Sequence, residues 1–305
     1  MVREKTEDLN RRGLGTTWFA VFASEYILTF IINAFTLIAF ARNRHLRKRS
    51  TYLIINLTVA DLLVGAVSGP LHIYHTVTFD PGSGFSWKKF IVLTFDNVFT
   101  ASSIAYLSLI SLERLYVTIY PFRQRLVSES IYFHIMPCIW ILALIPASLD
   151  AFFFLEKPFV SRYVWASFIF PAFLIQTISY VSITVKVKRD PPIQRFGAIA
   201  SERKLSGTLL IVTFVSALNI LPWVFYAFFY EDIVDELSKS TEFLITNSVN
   251  ALFYVNSFIN PVIYAIRMQS FRKALYNKKQ LIWRKTAVSK RVQPIELQSI
   301  QSNSY

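Results

Sequence analysis

Apolar residues in this chain gather in long stretches broken by short polar connections. Seven stretches reach the length of about 20 mostly apolar residues that a helix needs to cross a bilayer. They cover 17–41, 51–75, 90–120, 130–149, 163–185, 205–230 and 243–266. The last three contain no Asp, Glu, Lys or Arg. Strand-like alternation is absent, which argues against a membrane barrel. The pattern predicts an all-α membrane protein, a bundle of seven transmembrane helices. After the seventh stretch, Met268, Phe271 and Leu275 recur at helical spacing with cations between them. This predicts a short amphipathic helix over 268–276, lying on the membrane surface. Residues 1–16 form a polar N-terminal tail without the features of a signal peptide, and 277–305 form a polar tail expected to be disordered. No internal repeat is visible, so 17–276 reads as one domain.

Composition agrees. Charged residues make up 17% and hydrophobic ones 53%, against about 25% and 45–50% in soluble domains. The formal net charge of +13 would suit nucleic acid, but its distribution excludes that reading. The first connection carries Arg42, Arg44, Arg47, Lys48 and Arg49; the third carries Arg123 and Arg125. The fifth carries Lys186, Lys188, Arg189, Arg195, Arg203 and Lys204, and nine more follow Ile266. Cytoplasmic loops hold the excess of Lys and Arg in membrane proteins. A multi-pass plasma-membrane protein is expected, with its N-terminus outside and C-terminus in the cytoplasm. The single cysteine, Cys138, excludes an intrachain disulfide and is expected to pack as a small hydrophobe.

Ionisable groups within a span are costly and are functional candidates by default. Here they are Asp61, Asp96, Glu113 and Arg114, whereas Glu25 and Asp150 near the outer ends are expected to be interfacial. Glu113 and Arg114 lie at the cytoplasmic end of span three. Glu202, at the start of span six, offers a second carboxylate on the same side. A guanidinium held by two carboxylates forms a charge-assisted latch. Asp61 needs polar partners, and Asn33, Ser103, Asn256, Ser257 and Asn260 stand at compatible depths. Pro222 and Pro261 each remove a backbone hydrogen bond from a span and create natural hinges.

Several short motifs occur in order. They are Asn33 in span one, Asn56-Leu57-Thr58-Val59-Ala60-Asp61-Leu62 in span two and Glu113-Arg114-Leu115 in span three. Trp140, Pro171 and Pro222 follow in spans four, five and six, and Asn260-Pro261-Val262-Ile263-Tyr264 in span seven. The chain resembles the rhodopsin family (class A) of G-protein-coupled receptors over about 17–276, and is most similar to its amine-type members. The resemblance implies a receptor, not an enzyme, that carries an extracellular signal to a heterotrimeric G protein. It implies an activation switch of Glu113, Arg114, Glu202, Pro222, Asn260, Pro261 and Tyr264. It also implies that Asp61, Ser103, Asn256, Ser257 and Asn260 could hold a sodium ion or share a proton; no other cofactor is expected. Asp96, eighteen residues before Arg114, stands about 27 Å away along an ideal helix. At the matching position an aspartate pairs with the ligand ammonium of amine receptors. Tyr254, Asn250, Ser167 and Trp223 complete the expected site for a small cationic ligand.

The chain also departs from the family pattern. Lys89 stands where a disulfide cysteine is usual, and the connection over 150–162 is short. Span six reads Asn219-Ile220-Leu221-Pro222 in place of Cys-Trp-x-Pro, and Ser179 replaces a tyrosine that falls at Tyr180. These changes leave open a peptide or lipid ligand, or signalling without any ligand. A transporter or channel would call for inverted repeats and Gly-rich unwound segments, and the chain has only eight glycines. The acidic connection with Glu231, Asp232, Asp235, Glu236 and Glu242 could draw cations toward the mouth.

Overall fold

A computed structural model describes residues 2–47, 51–78, 85–120, 123, 127–189, 197–230, 233, 237–267 and 271. Among these no strand occurs. Helix one is Val2–Arg42. Helix two is built from Tyr52–Leu63, a π-helical turn at Val64–Ser68, and Gly69–Thr78. Helices three to seven are Trp87–Ile119, Glu129–Glu156, Pro158–Arg189, Gly197–Phe228 and Lys239–Arg267. Six of the seven are long and apolar enough over their described residues to cross a membrane, and helix six contributes a shorter apolar segment, Phe214–Phe228. Helix one begins well before residue 17. Its first residues include strong helix formers and no proline, so the helix continues past its apolar part.

Helix three is the hub, packed against helices two, four, five and six, while helix one closes the ring against helix seven. Small residues let the hub pack closely: Ala101, Ser102, Ser103, Ala105, Ser108 and Ser111 are all buried. Helices one and two approach closely. A Cβ added at Gly65 would stand 2.6 Å from the backbone nitrogen of Phe30, and one at Gly69 would stand 2.4 Å from the Tyr26 ring. The outside of the bundle is apolar. Ile27, Phe30 and Phe35 of helix one and Phe133, Ile141 and Ile145 of helix four are all exposed. Such a surface would aggregate in water, and it matches lipid.

Cys138 departs from expectation. It is exposed on helix four, because that helix shows most of its circumference to lipid and an apolar residue there need not be buried. Of the amphipathic segment 268–276, only Phe271 is described. It is buried, with its ring 5.5 Å from that of Phe40. The rest of that segment, the tail 277–305, the Glu202 side chain and Glu231, Asp232, Asp235 and Glu236 lie outside the described residues.

Candidate functional site

Three polar centres run through the bundle. The middle one is Asp61, with no exposed surface. Ser103 Oγ donates to its Oδ1 at 2.6 Å and Asn260 Nδ2 to its Oδ2 at 3.1 Å. Ser257 lies beside the carboxylate, and its carbonyl accepts from Asn33 Nδ2 at 3.0 Å. Asn33 Oδ1 on helix one and Asn256 Oδ1, next to Ser257 on helix seven, are buried and have no hydrogen-bond partner. This carboxylate receives only neutral donors, with orphaned oxygens on helices one and seven. Such a donor set fits a small hard cation or a shared proton.

At one end of helix three, Arg114 is 1% exposed and its Nη2 lies 2.6 Å from Glu113 Oε2. The other carboxylate oxygen, Oε1, accepts from the Tyr132 hydroxyl at 2.8 Å. Tyr132 belongs to helix four and is a member of this centre that no motif announced. Only its place opposite Glu113 reveals it. Tyr264 is fully buried in the neighbouring apolar core, and its hydroxyl is without a hydrogen-bond partner. Pro222 and Pro261 lie inside continuous helices.

At the opposite end the helices part around a cavity of about 830 Å³. Asp96, Asn250, Tyr254 and Trp223 all line it. Asp96 is 6% exposed, and its Oδ1 has no hydrogen-bond partner. Its Oδ2 lies 3.3 Å from His72 Nδ1, while Ser68 Oγ donates to its backbone carbonyl at 2.6 Å. An aromatic wall stands beside it. Tyr254 meets Tyr26 at 5.3 Å, His72 at 5.6 Å and Phe22 at 6.3 Å between ring centroids. Trp223 packs on Phe253 at 5.7 Å. At the mouth, Tyr230 donates to Glu242, which also pairs with Lys239, and the Arg162 guanidinium lies 3.5 Å from the Tyr230 ring centre. Helices five, six and seven are joined there.

Three expectations need correction. Ser167 is exposed, turned away from the cavity, and its hydroxyl donates to the Val164 carbonyl. Ser161 and Trp165, four residues apart and so on one face, look inward from helix five instead. His72, which the motifs did not single out, is the side chain that meets Asp96. Asp150 is not interfacial but buried, accepting from Asn97 Nδ2 at 2.7 Å and Ser161 Oγ at 2.6 Å. Glu25 is also buried, and neither carboxylate oxygen has a hydrogen-bond partner. A buried polar group without a hydrogen-bond partner costs about 1–3 kcal/mol, and more when charged, a cost that an apolar residue of similar volume removes. Glu25→Leu is therefore expected to raise the melting temperature of the receptor in lipid nanodiscs. A lower melting temperature would show that the charge has a structural use.

The described residues form a bundle of seven helices with a lined cavity at one end and a buried Arg114–Glu113 pair at the other, an arrangement that suits a membrane receptor. Residues 32–164 match the family described as 7 transmembrane receptor (rhodopsin family). Over that stretch, 133 of its 305 residues, the chain is similar to that family. It is 25% identical to neuromedin-U receptor 2 of Mus musculus, over 84% of this chain and 73% of that protein. It is also 25% identical to trace amine-associated receptor 13c of Danio rerio, over 85% and 84% respectively. Over 87 residues it is 37% identical to the histamine H4 receptor of Homo sapiens, covering 27% of this chain and 20% of that protein. These matches support a G-protein-coupled receptor rather than an enzyme.

Proposed function

We propose that this receptor responds to a small organic cation held at Asp96. The observation that carries the reading is a carboxylate oxygen with no hydrogen-bond partner, more than nine-tenths buried, on the wall of a cavity. Leaving a charged oxygen buried and unpaired is costly, and an ammonium donor removes the cost. Tyr254, Trp223 and Phe253 supply aromatic faces for the cation and its substituents, and Asn250 supplies a polar contact. The cavity volume lies within the ~300–1,000 Å³ usual for small-molecule sites. Relatives named for trace amines and histamine accord with this reading, while one named for a neuropeptide points to the alternative of a peptide.

In this reading the ligand favours the state it binds more tightly, because only differential affinity can move the balance. The cavity faces outside and the Glu113–Arg114 end faces the cytoplasm, as the distribution of Lys and Arg favours. Helix six swings at Pro222 and helix seven adjusts at Pro261 and Tyr264, which releases Arg114 from Glu113 and Glu202 and opens a cleft for the G protein. Asp61, Ser103, Asn256, Ser257 and Asn260 would hold a sodium ion, whose charge would balance the buried carboxylate.

The test is a second-messenger response in cells expressing the full chain, against a panel of monoamines. A saturable response that requires Asp96 is the expected result. Silence to every amine, with a peptide extract active instead, would sink the reading. The latch makes a separate prediction. Tyr132→Phe removes a hydrogen bond to a charged group, worth about 1.5–3 kcal/mol. Basal signalling is expected to rise by roughly tenfold or more, since about 1.4 kcal/mol is a factor of ten. An unchanged or lower basal signal at equal surface expression would remove Tyr132 from the latch.

A further inference from the structure

The cavity that holds Asp96 has a second acidic pole. Asp150, on helix four, lines the same cavity and is 9% exposed. Its two hydrogen-bond donors, Asn97 and Ser161, are neutral. They fix the carboxylate in place, but they bring no positive charge, and each oxygen keeps a free lone pair. The charged neighbour that acts on Asp150 is another carboxylate, that of Asp96. The basic side chains around the cavity are engaged elsewhere. His72 meets Asp96 Oδ2, the Arg162 guanidinium covers the Tyr230 ring, and Lys239 pairs with Glu242. Two like charges share a low-dielectric space in which their repulsion is poorly screened. A multivalent metal is a poor solution, since among the described residues no cluster of three or more His, Cys, Asp or Glu could hold one.

We propose that Asp150 is a second cation subsite, and that the ligand is a diamine with one ammonium on Asp96 and the other on Asp150. This rests on the amine reading of Asp96. Asn97 and Ser161 are positioning residues that aim the second carboxylate. Trp165, one turn from Ser161, gives a flat apolar wall for the methylene chain between the two charges. A purely structural tie between helices three, four and five would need the hydrogen bonds of Asp150 but not its charge, and that difference can be measured.

The probes are α,ω-diaminoalkanes and n-alkylamines of matched chain length. Each is titrated against the purified full chain in lipid nanodiscs, with melting temperature as the binding readout. One diamine length is expected to bind roughly 30-fold more tightly than its monoamine, as a second charge-assisted contact allows. Asp150→Asn is expected to erase that advantage while monoamine binding stays as it was, and Asp96→Asn to weaken both series. Asp150→Glu keeps the charge but advances the carboxylate, so the preferred diamine becomes shorter. Equal binding of the two series by the unaltered chain overturns the proposal, and it does so without any variant having to fold. So does an Asp150→Asn loss that strikes both series alike, which would make Asp150 a helix brace. Binding of monoamines without a diamine advantage removes only the second subsite. Absence of binding by either series removes the amine reading of Asp96, and this inference with it.

Discussion

Asp96→Asn is expected to move the amine concentration–response curve by roughly 30-fold or more at matched surface expression. Removing one partner of a buried, hydrogen-bonded charge pair costs about 2–5 kcal/mol, and every 1.4 kcal/mol is about a factor of ten. Asparagine has the shape of aspartate, so the loss reports charge and not volume. The fold should tolerate the change, because Ser68 bonds the backbone carbonyl of residue 96 and not its carboxylate. His72→Gln, which removes the neighbour of Oδ2 and leaves the carboxylate in place, is expected to have a smaller effect of roughly tenfold or less. A shift of less than ~3-fold for Asp96→Asn, under half a decade in affinity, would end the cationic reading and favour a peptide ligand.

Gly65→Val is expected to abolish surface expression, and Gly65→Ala to lower stability by about 1–3 kcal/mol, the usual cost of overpacking. The obstacle at Gly65 is backbone: Phe30 N at 2.6 Å and the Tyr26 carbonyl at 2.8 Å from the added Cβ. A side-chain tip could rotate away from a new methyl group. A helix backbone must shift as a unit, and this one carries Tyr26, whose ring supports Tyr254 at the edge of the cavity. Gly207 provides the control, since a Cβ there would meet nothing within 4 Å. Gly207→Ala should be neutral, or stabilising by up to about 1 kcal/mol from helix propensity. Melting temperatures in nanodiscs would separate the two sites, and equal values for Gly65→Ala and the unaltered chain would refute the close-packing account.

The order of the helices, their apolar character and the depth of each buried charge were legible in the sequence. A backbone in hydrocarbon must satisfy its own hydrogen bonds, which leaves a helix as the outcome for each long apolar stretch. Depth follows from counting at a fixed rise per residue. That is why Asp61, Asp96 and Arg114 could be assigned to three levels before any packing was known, and why Tyr254 and Asn250, four apart, fell on one wall.

Direction around each helix was decided by the tertiary structure. In a soluble helix the polar face marks solvent, but a helix among lipids is apolar on its outer side as well as its inner one. Nothing in the sequence showed that Ser167 of span five faces out, while Ser161, read as part of the connection over 150–162, lies on helix five and faces in. Nothing in spans one and four showed that Glu25 and Asp150 would be enclosed by neighbours, since solvation at a span end depends on what packs there. His72 lies beyond the π-helical turn at Val64–Ser68, where the extra residue breaks the count from Asp61. Tyr132 joined Glu113 only because helix four packs against that end of helix three. Repeat and spacing set the helices and the levels; contact between helices chose which side chains share a site.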